Sequence, residues 1–193
     1  MKNGFFSENG KMIRKMLLTH LVMTIFGMMI FIPFNTGNPT LKIIMSILGW
    51  VALLMFLFLI DVDMWYYGAE DKLRVDAGRQ KRNPFKGLLI GLVAEIPAIV
   101  VGILFTLSYY LQAYYSAYES GAVFDGFKKV MIYVNLIWNG MYHGVSWSIF
   151  DGFMTWFYLF IPLLPIGFCG LTYWLGLKNS PILKPPAREK KQK

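Results

Sequence analysis

The stretch 87–110 contains one charged side chain in 24 residues, and that side chain is the carboxylate of Glu95. About 20 apolar residues in a helix are enough to cross the hydrocarbon core of a bilayer, which is about 30 Å thick. An ionised group at that depth is costly, so intramembrane carboxylates face protein or water. The stretch therefore predicts a transmembrane helix whose Glu95 face packs against other parts of the protein.

Small residues accompany Glu95 on one face of this predicted helix. At about 100° per residue, they fall within the same arc as the carboxylate. Small residues are enriched where membrane helices touch, because they let backbones approach closely. We therefore expect this helix to be the packing centre of the fold. The predicted helix-packing face consists of Gly87, Gly91, Ala94, Ala98 and Gly102.

Three further apolar runs complete the predicted fold, an all-α integral membrane protein with a single membrane domain. Only 16% of the residues are charged and 56% are hydrophobic, whereas soluble domains carry about 25% charged residues. Pro162 and Pro165 predict a kink in the last run. The four transmembrane helices are expected at about 16–34, 43–63, 87–112 and 152–177.

The segment 122–141 has helical periodicity but is a poor candidate for a span. Its strongest apolar core, 130–138, is too short to cross a bilayer and is interrupted by Asn135. The pattern indicates an amphipathic helix outside the cytoplasm. Two placements stay open, an interfacial helix that lies on the bundle surface and a re-entrant helix.

The basic residues predict the orientation. Of the 19 Lys and Arg residues, only Lys42, Lys128 and Lys129 fall in the segments on one side of a four-span chain. Positive residues concentrate on the cytoplasmic side. Both termini are therefore expected in the cytoplasm, together with a basic loop at 68–86 and a disordered basic tail at 178–193.

Three ionisable side chains are predicted in the cytoplasmic half of the membrane, each on a different helix. They are Glu95, His20 and Asp61. Together they form a candidate intramembrane polar site, which suggests handling of a proton or a cation. The structural alternative is a hydrogen bond that ties helices together.

The basic loop has three candidate roles: it sets the orientation, it binds anionic lipid headgroups, or it docks a partner protein. The residues predicted to contact headgroups or a partner are Lys72, Arg74, Arg79, Lys81, Arg82 and Lys86.

Sequence motifs of nucleotide, metal and hydrolase sites do not occur in this chain. His143 lies near Ser146, but sequence proximity alone does not make a triad. We expect no cofactor, no metal and no nucleic acid, and the composition suggests a bacterial source. The expected function is non-enzymatic: an accessory or assembly subunit of the cytoplasmic membrane that binds lipid or partner proteins. A small transporter component with Glu95 as its protonatable residue is the alternative. The expected partners are the bilayer, anionic headgroups and a homo-oligomer or larger membrane complex.

Overall fold

The computed structural model describes residues 4–31, 39–118, 121–150, 152 and 154–180, and these residues form helices without any strand. Four helical segments are long and apolar enough to cross a membrane. The prediction of an all-helical chain with four such segments is therefore confirmed. The helices are α1 (Phe5–Phe31), α2 (Pro39–Asp76), α3 (Lys86–Tyr115), α4 (Gly121–Phe150), α5 (Thr155–Phe160) and α6 (Leu163–Lys178).

Helix α2 is longer than its predicted span and takes up the first half of the predicted basic loop. Its 38 residues extend about 57 Å at 1.5 Å per residue, almost twice the thickness of the hydrocarbon core. It ends only where Gly78 adopts a positive φ of 68°. The N–H groups of Gly78 and Arg79 then bond to the carbonyls of Val75 and Arg74, which is a Schellman motif.

The last predicted span is divided as its prolines predicted. Helix α5 ends at Phe160, and Pro162 occupies the N-cap of α6 with φ of −63°. Helix α6 ends at Lys178, followed by Asn179 in the left-handed region. The rest of the predicted tail, 181–193, lies outside the described residues.

The first part of helix α4 runs alongside α3. The ring of Phe124 stacks on that of Tyr115 at 4.5 Å, and the Lys128 ammonium lies 4.2 Å from the centre of the Tyr109 ring. At Asn139 the backbone leaves helical geometry (φ −107°, ψ 20°). A kink this deep in the helix changes the direction of the chain.

Beyond the kink, α4 packs against the second half of α1 and the first third of α2. Met141 lies against Gly27, and Gly144 lies against Gly49. The Trp50 indole donates to the Ser148 hydroxyl at 2.9 Å. The beginning of α2 and the end of α3 lie at the same end of the bundle. One end of α4 contacts α3 there and the other end contacts α2, so both ends of α4 lie near that end.

The opposite end of the bundle holds the beginning of α1 and the end of α6; we call it the basic end. The Tyr67 hydroxyl donates to Asn9 at 2.7 Å, which joins α2 to α1. The Tyr173 hydroxyl donates to Asp71 at 2.8 Å, which joins α6 to α2. The two termini of the described chain are therefore at one end of the bundle, as the four-span prediction requires.

Paired glycines bring α2 and α6 into their close contact. Gly68 and Gly176 face each other across the interface. A Cβ added at Gly176 would overlap the carbonyl oxygen of Trp65 and lie 3.0 Å from the Cα of Gly68. Backbones this close gain dispersion energy that a larger residue would prevent.

We predict that Gly176→Ala destabilises the bundle by about 1–3 kcal/mol, the usual cost of overpacking a tight contact. Gly167→Ala is the matched control, because Gly167 lies on the same helix with no atom within 4 Å of the added Cβ. The measurement is reversible unfolding in mixed micelles. Equal stability of the two variants would contradict the packing described here.

Candidate functional site

The small-residue face of α3 is buried along its whole length, and Glu95 lies on it. Gly87 packs against the side chain of Tyr173, and Gly91 against Cys169. Gly102 approaches the carbonyl of Tyr158. Through these contacts α5 and α6 pack against α3. The predicted packing residues that the structure buries are Gly87, Gly91, Ala94, Ala98 and Gly102.

Glu95 is in direct contact with His20, across the interface between α3 and α1. The His20 Nδ1 and Glu95 Oε1 atoms are 3.1 Å apart. His20 is 1% exposed and Glu95 2% exposed. The other ring nitrogen, Nε2, lies 3.0 Å from the carbonyl oxygen of Trp138 on α4. One imidazole therefore connects three helices.

The two partners of His20 fix how many protons the pair holds. A carbonyl oxygen can only accept, so Nε2 must carry a hydrogen to bond Trp138. The bond between Nδ1 and Glu95 needs one more proton, carried by either the imidazole or the carboxyl. Both arrangements are neutral overall. Loss of that proton would leave two lone pairs facing each other in a medium that tolerates charge poorly.

The break in α4 lies next to this pair and leaves a backbone carbonyl available to His20. Trp138 directly precedes Asn139, the residue with non-helical geometry. Its carbonyl accepts from the Thr24 hydroxyl at 2.9 Å as well as from His20. Irregular backbone at membrane depth is tolerated where neighbouring protein groups satisfy its polar atoms. Here two side chains of α1 do so.

Aromatic rings surround the pair. The His20 ring meets Phe56 edge-on at 5.7 Å and stacks near Trp138 at 5.9 Å, while Tyr142 lies at 6.2 Å. The Glu95 Oε2 atom and the Tyr142 hydroxyl are buried without a hydrogen-bond partner in the described residues. The site is thus enclosed and weakly polar, a setting in which a neutral pair is far more stable than a separate charge.

Asp61 is not part of this site. It is buried (4% exposed), and no hydrogen bond or ion pair joins it to His20 or Glu95 in the described residues. The α2 residue that faces His20 is Phe56. Asp61 lies five positions further along, which turns it about 140° around the helix. The sequence hypothesis of a three-residue site therefore reduces to a pair.

The backbone partner of the pair, the carbonyl of Trp138, was not predicted from the sequence. One signal was present, because Asn139-Gly140 follows it and Asn-Gly is a turn dipeptide inside an otherwise helical pattern. That signal marks a break but does not reveal which side chain it will face.

A second buried polar cluster lies at the basic end. Asp71, 1% exposed, accepts from the Lys86 ammonium at 2.6 Å and from Tyr173 at 2.8 Å. Arg74 lies 3.3 Å from its other oxygen. Lys86 itself is only 4% exposed and lies 4.8 Å from the centre of the Tyr67 ring.

Lys86, which was predicted to contact headgroups or a partner, is therefore buried, and its ammonium is paired with Asp71. The close packing of Gly87 against Tyr173 draws Lys86 under α6. Of the other residues predicted to contact headgroups or a partner, Lys72 is half-buried. Four are exposed: Arg74, Arg79, Lys81 and Arg82.

The weak serine–base pattern does not form a triad in the described residues. His143 Nδ1 lies 2.5 Å from the Tyr158 hydroxyl, and Ser146 donates to the carbonyl of Gly152. Within the same residues, no group of three or more His, Cys, Asp or Glu side chains is arranged to hold a metal ion. Comparison with models of protein families, with curated proteins and with solved structures finds no match for the chain.

We predict that Glu95→Gln keeps the fold whereas Glu95→Ala weakens it. A Gln amide can donate to Nδ1 while Nε2–H still donates to Trp138, so a neutral His20 remains fully bonded. Alanine leaves Nδ1 buried without a partner, which costs about 1–3 kcal/mol. Unfolding of both variants in mixed micelles measures the difference. A Gln variant as unstable as the Ala variant would contradict this account.

We predict a larger loss at the basic end for Asp71→Asn, about 3–5 kcal/mol, because the ammonium of Lys86 is left buried without its counter-charge. Asp63→Asn is the control. Its ion pair with Lys15 is open to solvent, with 58% of the lysine side chain exposed, and such pairs contribute about 0–1 kcal/mol. Adding Lys86→Gln to Asp71→Asn should restore most of the loss, and a failure to do so would contradict the charge explanation.

Proposed function

We propose that the chain is a non-enzymatic, multi-pass protein of the cytoplasmic membrane that acts as an accessory or assembly subunit. In this proposal the basic end faces the cytoplasm with both termini. The concentration of Lys and Arg at that end supports this orientation. Helix α4 then enters the membrane from the outer side and returns to it, which is the re-entrant alternative of the sequence analysis.

One observation carries the non-transport assignment: both ring nitrogens of His20 are bonded within the protein, and the pair is enclosed. A substrate or ion that binds His20 would have to displace one of these partners. The pair then has a structural role, because its hydrogen bonds hold the broken helix α4 against α1 and α3. The protein's contacts with lipid and partners fall instead to its exposed surfaces.

The second candidate function is a small proton-linked transporter component, with Glu95 as its protonatable residue. The observation that favours it is the helix break in contact with the pair, since discontinuous helices form the midplane binding sites of many transporters. Glu95 Oε2 and the Tyr142 hydroxyl, both buried without a partner among the described residues, add further polar positions. Four spans enclose little space, so this function would require an oligomer.

Proton flux into liposomes separates the two candidates. With the purified protein reconstituted, an accessory role predicts the same proton leak for wild type, Glu95→Gln and protein-free liposomes. A wild-type flux that Glu95→Gln abolishes without unfolding the protein would overturn the accessory proposal in favour of transport. Glu95→Gln is the informative variant because it removes the shared proton and keeps both hydrogen bonds.

The assembly role predicts a neighbour at the basic end. Leu73, on the part of α2 that extends beyond its apolar run, is 70% exposed. A photocrosslinking residue at position 73 should yield one defined protein adduct in native membranes. The control position is Leu54, which is 60% exposed in the middle of the apolar run and should crosslink to lipid. Identical adduct patterns at both positions would contradict the proposal.

A further inference from the structure

We infer that the basic end carries a binding site for a phospholipid headgroup that contains both a phosphate and a primary ammonium, as in an aminophospholipid of the surrounding bilayer. The inference rests on the proposed placement of this end at the membrane interface. It is independent of the role of the His20–Glu95 pair.

Two adjoining clefts between α1 and the end of α2 form the site. The first, about 380 Å³, is lined by Lys11, Met12, Lys15, Tyr67 and Glu70 together with two residues that also line the second. The second, about 270 Å³, is lined by Arg79, Gln80 and Lys86 together with the same two. The shared residues are Glu8 and Arg74, so the clefts meet at a carboxylate and a guanidinium.

Two cations are available for a phosphate. Lys11 and Arg79 are both exposed, and neither has an ion-pair partner among the described residues. Arg74 uses one of its nitrogens on Asp71, at 3.3 Å, and 52% of its side chain is exposed. Guanidinium groups bind phosphate oxygens with two parallel hydrogen bonds, which gives both affinity and orientation.

Glu8 makes the site selective. It lines both clefts, with Lys11 in the first and Arg79 in the second. Glu8 is exposed and has no ion pair in the described part of the chain. A purely anionic headgroup would meet its negative charge. A primary ammonium would instead donate hydrogen bonds to it while the phosphate remains with the cations. Choline has no N–H to donate, so it can only approach as a diffuse charge.

The surroundings favour a lipid over a soluble phosphate compound. Met12 and Tyr67 give the first cleft an apolar wall. Tyr67 ends the aromatic cluster Trp65-Tyr66-Tyr67, and such clusters mark the level of lipid headgroups. Further along α1 toward the membrane, Leu18 and Val22 are each 62% exposed. A headgroup in the clefts would thus have its acyl chains against the apolar surface of α1.

Native mass spectrometry of the full chain, with an equimolar mixture of ethanolamine, choline and glycerol phospholipids of identical acyl chains, tests the inference. We expect the ethanolamine lipid to be bound about two- to fivefold more than either of the others, the range that one exposed ion pair allows. Soluble phosphoethanolamine at the same concentration should not displace it. Displacement would overturn the assignment to a membrane lipid.

Two pairs of variants locate the site. Glu8→Gln should abolish the preference for ethanolamine over glycerol lipid, whereas Asp76→Asn, an exposed carboxylate outside the clefts, should keep it. Arg79→Gln should reduce binding of all three lipids more than Arg82→Gln does. All four positions are exposed, so the fold should be unchanged, which thermal unfolding verifies. A wild-type preference for the glycerol lipid, or equal effects within either pair, would overturn the inference.

Discussion

A bilayer core contains no water to bond the polar atoms of a side chain, so each must find its partners within the protein. His20 has two such atoms, and the fold satisfies both, one with a carboxyl group from α3 and one with a backbone carbonyl from α4. The second partner is available beside the break in α4. The imidazole therefore needs the free carbonyl beside the break, and that carbonyl needs a donor such as the imidazole.

The polar contacts depend on close apolar packing. Hydrogen bonds of about 3 Å between helices need backbones that approach one another, and residues without bulky side chains permit this. Gly27 allows α4 to pack closely against α1, and Gly49 allows it to pack closely against α2. The small-residue face of α3 does the same for α5 and α6. The same glycines that add no side-chain contacts of their own thus determine where the polar groups meet.

Much of this arrangement could be predicted from the sequence, and the exceptions have physical reasons. The apolar runs and the small face of α3 depend on composition and helical period, which are local properties. Glu95 and His20 were singled out because ionisable groups at membrane depth need partners. The absence of Asp61 from the site depends on the rotation of α2 about its axis, which packing sets.

Two further differences concern residues whose surroundings come from distant parts of the chain. Lys86 was predicted to contact headgroups or a partner because it belongs to the basic loop. Its burial depends instead on Asp71 of α2 and Tyr173 of α6. Helix α4 was predicted as an amphipathic helix of 122–141. Beyond the break at Asn139 the helix continues to Phe150 in a second direction, and the polar residues near the break are buried: Asn135, Asn139, His143 and Ser146.

The protonation of His20 in a bilayer can be measured from the nitrogen resonances of its ring by solid-state NMR between about pH 5 and 9, the range in which an unperturbed histidine titrates. We expect Nε2 to carry a hydrogen throughout this range, in wild type and in Glu95→Gln alike, because it donates to the Trp138 carbonyl in both. An Nε2 atom that loses its hydrogen within that range would show that the bond to the Trp138 carbonyl is not permanent. The His20–Glu95 pair would then not hold α4 in place.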